Sequence, residues 1–229
     1  IDTVSICAAA LFLLAPLALV LAQGVAGLTA LRPGSGSPEW VATRVAAGHS
    51  LVVAAASTAL CIGWALALLR PVGALLSLAA IAISPLVLGT GLFLMLRPVV
   101  NPLDWALPVT VLVNAVMALP FALRVLTPAA ETVRADWGRL AGTLRLTRGA
   151  WLRLVLMPRL ARPLGFAAGL SAALAMGDLG VIALFADPER ATLPLQVYRL
   201  MGAYRMEAAS GAALLLLALS LGLFWTLDR

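Results

Sequence analysis

The chain contains no lysine; all 16 of its basic residues are arginine. A P-loop needs the Lys of G-x-x-x-x-G-K-[ST] to reach the nucleotide phosphates, so no phosphate-hydrolysing site of that class is encoded. Histidine occurs once, as His49, and cysteine twice, as Cys7 and Cys61. One imidazole and two thiols in separate apolar runs offer no metal-ligand spacing, and the chain is read without metal or cofactor. His49 is expected at the outer end of a span, and each Cys as a small hydrophobic residue. Charge is scarce at 11% of residues, and Asp178 is the one acid inside an apolar run. A carboxylate pair sharing a proton therefore lacks its second member. No G-x-S-x-G occurs, and Ser171 has no histidine in its own run. These absences argue against enzymatic chemistry.

What fills the sequence is apolar surface: 62% hydrophobic residues and a mean hydropathy of +1.03 lie outside the range of soluble domains. A bilayer core takes about 20 apolar residues per helix. Runs of that kind cover residues 6–28, 51–69, 72–96, 107–126, 164–185 and, shorter, 212–223. Unbroken apolarity without period-two alternation selects helices over barrel strands. The expected fold is all-α: a polytopic membrane bundle of about six transmembrane helices, forming one transmembrane domain over residues 1–229. Beginning at Ile1 and ending just after a run, the chain reads as an excerpt from a longer polypeptide.

Orientation follows from arginine, which collects on cytoplasmic flanks. With both termini cytoplasmic, the inner side holds Arg70, Arg124, Arg229 and a long loop bearing Arg134, Arg139, Arg145, Arg148, Arg153, Arg159 and Arg162. The outer Arg32, Arg44, Arg97, Arg190, Arg199 and Arg205 are interleaved with Glu39, Asp104, Asp187, Glu189 and Glu207. The net charge of +6 thus answers to the lipid membrane, and nucleic acid is not an expected partner.

The long loop, residues 127–163, carries the functional signal. Thr127-Pro128 reads as a helix start, with Glu131 near the positive end of the dipole. Val133, Trp137, Leu140 and Leu144 fall on one face of the helix that follows. Thr147-Arg148-Gly149 should turn the chain into a second short helix through Trp151, Leu154 and Val155 to Pro158. Such a basic amphipathic elbow either lies on anionic headgroups or meets another protein.

In the fifth run Gly165, Gly169, Ala173 and Gly177 form one stripe, which serves either ordinary close packing or a moving seam between permease halves. Asp178 follows directly. A carboxylate in hydrocarbon normally faces the bundle interior or a wet cavity, so it belongs to a translocation path or fixes the helix end. Pro108, Asn114 and Pro120 interrupt the fourth run, and Ser84, Pro85, Gly89, Thr90 and Gly91 the third; freed carbonyls at proline kink a helix.

The loop resembles that of inner-membrane permeases of binding-protein-dependent ABC importers, which carry E-A-A-x(3)-G and a hydrophobic-Pro pair before their penultimate span. Anchored on Met157-Pro158, with Pro163 following, that pattern places its acid at Arg139, its alanines at Leu140 and Ala141, and its glycine at Arg145. Ala141 and Met157-Pro158 match; Arg139 and Arg145 depart. The stretch Gly177-Asp178-Leu179-Gly180-Val181-Ile182-Ala183-Leu184-Phe185, then Thr192-Leu193-Pro194, Tyr198, Gly202 and Tyr204-Arg205, is similar to the C-terminal half of thiamine importer permeases, whose relatives include iron(III) permeases.

The resemblance implies a transport subunit of the bacterial inner membrane. Its partners would be a cytoplasmic ABC ATPase dimer, a periplasmic substrate-binding protein and a second permease half, fused or separate. Arg139, Leu140, Ala141, Leu144, Arg145, Trp151 and Pro158 would couple to the ATPase; Asn114, Gly177, Asp178 and Gly180 would line the substrate path. Two rivals remain at this stage: a proton-coupled secondary transporter using Asp178, and a scaffold whose basic loop recruits a partner.

Overall fold

The computed structural model describes residues 2–31, 34, 36–69, 80–185 and 189–229. Among these, every regular element is helical: α1 Asp2–Leu31, α2 Pro38–Ala67, α3 Pro85–Leu96, α4 Ala106–Thr143, α5 Arg148–Trp151, α6 Met157–Gly177, α7 Gly180–Phe185, α8 Leu193–Gly202 and α9 Met206–Asp228. A 3₁₀ turn, Pro102–Trp105, leads into α4, and a π-helical stretch, Leu152–Leu156, joins α5 to α6. Five segments are long and apolar enough to cross a bilayer: Val4–Leu31, Pro38–Ala67, Pro102–Thr143, Gly149–Phe185 and Met206–Asp228. The chain is an all-α, multi-pass membrane protein. Of the predicted third run only the part from residue 80 is described, and its helix α3 has 12 residues. Residues 70–79 lie outside the described set, as do Arg32 and Asp187.

Two compact units are present, Ile1–Ser50 with Pro188–Leu219, and Leu51–Asp187 with Ser220–Arg229. In the first, α1 and the start of α9 approach closely because each presents a glycine, Gly27 and Gly211, at the crossing. A Cβ on Gly27 would collide with the Glu207 carbonyl and the Gly211 amide, and one on Gly211 would sit 2.5 Å from the Gly27 carbonyl. Ser210 Oγ donates to the Gln23 carbonyl at 3.1 Å across the same seam. Such small-residue crossings hold helices together in lipid, where van der Waals contact rather than water exclusion drives association. Below the crossing Leu31, Leu200, Ala208, Ala209 and Ala212 are buried together. His49 Nδ1 lies 3.1 Å from the Ala191 carbonyl, which only accepts, so the ring must donate there. Next to it, Ser50 Oγ accepts from the Leu193 N–H at 2.8 Å. Tyr204 takes a positive φ of 59° as the chain leaves α8, and Arg205 pairs with Glu39.

The second unit is built on α4 and α6. Its core joins Cys61, Ala65 and Leu69 to Ala115, Ala118, Leu119, Ala122, Leu123, Leu126, Ala130 and Val133 of α4, and to Leu156, Leu160 and Ala167. Alanine at so many of these positions brings the backbones close. Here three local expectations fail. Thr127-Pro128 does not start a helix: α4 runs unbroken for 38 residues, with Pro120 and Pro128 inside it. Leu126, Ala130 and Val133 remain buried across the predicted boundary, so packing on one continuous face outweighs the local cap signal. Pro108 sits in the first turn of α4, where its missing N–H costs nothing, and the helix also passes through Asn114. At 1.5 Å per residue α4 is about 57 Å long, against a hydrocarbon core of about 30 Å.

The second limb of the elbow likewise does not stop at Pro158. It continues into α6, and the register slips at the π stretch, where the Met157 N–H bonds to the Leu152 carbonyl. That slip falls immediately before Pro158, a residue with no N–H to give, and π-turns of this kind absorb such a mismatch. Third, the run 164–185 is not one helix. α6 ends at Gly177, Asp178 is extended with ψ 121°, and α7 restarts at Gly180. Beside this break Gly89 of α3 lets Val181 and Leu184 approach, to 3.2 and 3.1 Å from where its Cβ would be. Phe93 meets Phe185 edge-on at 5.6 Å between ring centroids.

The glycine crossing in the first unit predicts that Gly27→Ala lowers the thermal midpoint of the purified protein in detergent, overpacking costing about 1–3 kcal/mol. Gly63→Ala, at a position with open space around it, leaves the midpoint unchanged or slightly raised, and equal midpoints for the two variants would contradict the crossing.

Candidate functional site

Where α4, α6 and the chain break meet, the second unit carries an open-sided cavity of about 510 Å³, inside the range of about 300–1,000 Å³ typical of small-molecule sites. Asn114, Met117 and Phe121 of α4 face Ala173, Gly177 and Asp178 across it. The helix break explains how a carboxylate is accommodated there. Asp178 Oδ1 accepts from the Gly180 N–H at 3.1 Å, satisfying one of the peptide donors freed where α7 begins. Its other oxygen, Oδ2, is buried without a hydrogen-bond partner. Asn114 Nδ2 donates to the Ala175 carbonyl at 3.5 Å, a long bond that ties the middle of α4 to the end of α6.

Three of the four predicted path residues, Asn114, Gly177 and Asp178, thus share one cavity. Gly180 is not in the lining, and its N–H bonds to the Asp178 carboxylate instead. The small-residue stripe divides in the same way. A Cβ on Gly165 would lie 2.5 Å from the Leu227 carbonyl, and one on Gly169 3.0 Å from that of Phe224, so these two are packing residues against the end of α9. Ala173 and Gly177 open onto the cavity, and nothing lies within 4 Å of where a Gly177 Cβ would be.

The loop forms the predicted elbow, its limbs being the ends of α4 and of the α5–α6 segment. α4 closes at Leu144, and Arg145 then takes φ 46°, a left-handed conformation that favours glycine. The Leu146 N–H bonds back to the Ala141 carbonyl at 3.1 Å, and Thr147 Oγ1 caps the next turn by accepting from the Ala150 N–H at 3.3 Å. Between the limbs lies an apolar groove of about 200 Å³ that includes Leu140, Ala141, Leu144 and Trp151. Leu140 and Leu144 stay 49% and 61% exposed, apolar surface on a segment extending past the membrane-spanning length of α4. Arg139, Arg145 and Pro158 lie outside the groove. The Arg145 backbone nevertheless carries the conformation that the aligned glycine would supply.

Two residues at the elbow escaped the sequence reading. The Arg159 guanidinium stacks over the Trp137 ring at 3.7 Å, joining the two limbs by a cation–π contact worth about 0.5–1 kcal/mol when exposed. Arg134 Nη2 donates to the Leu69 carbonyl at 2.8 Å, capping the C-terminal side of α2. Their partners are remote in sequence, so spacing along the chain gives no sign of either contact. Among the described residues no three His, Cys, Asp or Glu side chains gather as a metal site.

No protein-family model matches the chain. Curated proteins do. The chain is 32% identical, over an alignment of 245 residues that takes in its whole length, to the thiamine transport system permease protein ThiP of Escherichia coli. It is a relative of the thiamine transport permeases. The Brucella abortus protein of the same name is 41% identical over 145 residues, 63% of this chain, and that of Haemophilus influenzae 30% identical over 222 residues, 90% of it. These alignments take in 44%, 27% and 40% of the respective relatives, so the chain spans less than half the length of the curated proteins it matches.

The left-handed Arg145 predicts that Arg145→Val lowers the thermal midpoint by the equivalent of about 1–2 kcal/mol, the cost of a β-branched side chain at positive φ. Arg145→Gly should leave it unchanged or raise it; a midpoint insensitive to both substitutions would show that this turn relaxes freely.

Proposed function

We propose that the chain is one transmembrane half of a binding-protein-dependent ABC importer permease for thiamine, in a bacterial inner membrane, driven by ATP hydrolysed on a partner. The observation that carries this reading is the continuity of α4 and α6 between elbow and cavity. From Leu140 to Asn114 is about 39 Å of unbroken helix, and from Met157 to Gly177 about 30 Å. A push on the elbow is therefore delivered to both walls of the cavity with no flexible joint between. The similarity to thiamine transport permeases supports both substrate and assembly, and the lack of lysine supports an ATPase located elsewhere.

In the proposed cycle the exposed Leu140 and Leu144, with Ala141 and Trp151, seat on a cytoplasmic ATPase dimer, while Arg139, Arg145 and Pro158 shape the rim and turn. Closure of the ATPases on ATP moves the elbow. The Trp137–Arg159 stack and the Arg134–Leu69 bond hold its limbs and α2 together, so the movement reaches the cavity as a change of packing between states. Asn114, Gly177 and Asp178 line the path, Gly180 holds the carboxylate, and a second permease half supplies the opposite wall. A periplasmic binding protein delivers substrate from the outer side. No side chain in this cycle is catalytic.

In vesicles containing the assembled transporter, Leu140→Asp or Leu144→Asp should lower uptake at least about tenfold, since a buried, unpaired carboxylate costs more than about 1.4 kcal/mol. Basal ATP hydrolysis persists and the bundle stays inserted; undiminished uptake in both variants would count against docking. Asp178→Ala, assembled with its ATPase in normal amount, should also lose uptake. Transport that runs on a proton gradient without ATP would replace the importer reading by a proton-coupled one.

A further inference from the structure

Asp178 is the one ionisable side chain among the described residues lining the cavity. The described residues lining the space include no arginine or histidine, Oδ1 is engaged by the Gly180 amide, and Oδ2 is buried with no partner. A carboxylate held like this in a membrane faces the bundle interior or a wet cavity and marks a path for a substrate or an ion. Around it the lining is suited to a flat, weakly hydrated cation. Phe121 is 45% exposed and borders the same cavity as Met117, supplying an aromatic face that attracts positive charge and a soft, adaptable thioether. Next to the carboxylate, Gly177 leaves open space. Asn114 is the other polar side chain in the described lining, and it brings no charge.

We infer that this cavity is itself a selective site for a monovalent organic cation, with Asp178 as the charge-recognising residue and Phe121 and Met117 as its apolar platform. Selection would then be made twice, once by the soluble binding protein and again inside the membrane, where a neutral analogue of the same shape gains nothing from the carboxylate. The inference rests on the reading of the cavity as the substrate path.

The test uses the intact transporter, with both permease halves and its ATPase, in lipid nanodiscs open on both sides. All native cysteines are replaced and one reporter is introduced at Met117→Cys or, independently, Ala173→Cys. Labelling rates are measured with a quaternary-ammonium thiosulfonate and with a neutral thiosulfonate of similar size. Their ratio is normalised to that measured for the same two reagents with a free thiol in solution, with nucleotide-free and ATP-bound complexes compared. With Asp178 present the normalised ratio should favour the cation about tenfold, the focusing expected of one fixed charge in a low-dielectric cleft. It should fall to near one in Asp178→Asn, which keeps an oxygen for the Gly180 amide, and recover in Asp178→Glu. Labelling by both reagents at a ratio near one with Asp178 in place overturns the cation site and leaves the path intact; a carboxylate that stays protonated gives this result. Failure of either reagent to reach either reporter in any nucleotide state removes the path reading itself, and the inference with it.

Discussion

The lengthwise packing of α4 on α6 is the contact on which the rest of the second unit depends. Ala115, Ala118, Ala122 and Ala130 of α4 are buried in one core with Leu160 and Ala167 of α6. In lipid such an interface gains little from excluding water and has to be won through close van der Waals fit. Small side chains at the seam make that fit possible. Its consequences appear at both ends. At one, Asn114 reaches the Ala175 carbonyl and faces Asp178; at the other, Trp137 lies under Arg159. A substitution that spread these two helices would disturb cavity and elbow together.

Breaks in the helices are placed where polar chemistry repays them. Hydrocarbon offers no water to a freed peptide group, so an interrupted span must carry its own replacement. Asp178 does this for α7 through one carboxylate oxygen, while the other is buried without a hydrogen-bond partner. The π stretch before Pro158 is a different solution to the same problem: the hydrogen-bond register shifts by one residue, and the helix continues across a position that cannot donate. Both devices leave a long rigid element on the side facing the elbow. Mechanical continuity follows from the bonding rule.

Much of this was legible from residues alone. The all-α membrane class and the elbow follow from apolar run length and helical spacing, which are local properties, whereas Leu140, Ala141, Leu144 and Trp151 were grouped through the resemblance of the loop to importer permeases. Asn114 and Asp178 stood out because a polar group in an apolar run is costly wherever it lies. The errors were also local in origin. Thr127-Pro128 has the form of a helix start, yet the burial of Leu126, Ala130 and Val133 carries α4 through it. Pro158 has the form of a stop, yet the π turn passes it. Arg134 and Arg159 looked like solvated charge because Leu69 and Trp137 are distant along the chain.

Composition and run length by themselves determined that this protein lives in a bilayer as helices, because the cost of exposing a peptide group to lipid leaves only helices or closed barrels and unbroken apolar runs select the helices. They also determined that it lacks the lysine of a P-loop, and that one carboxylate must find a place inside the membrane. Only the tertiary structure decided which faces meet: that Gly165 and Gly169 pack on the end of α9 while Gly177 opens on a cavity, that Gly27 meets Gly211, and that Asp178 looks across at Asn114. Those pairings depend on the shapes of two surfaces brought together from remote parts of the chain, and no spacing along one of them encodes the other.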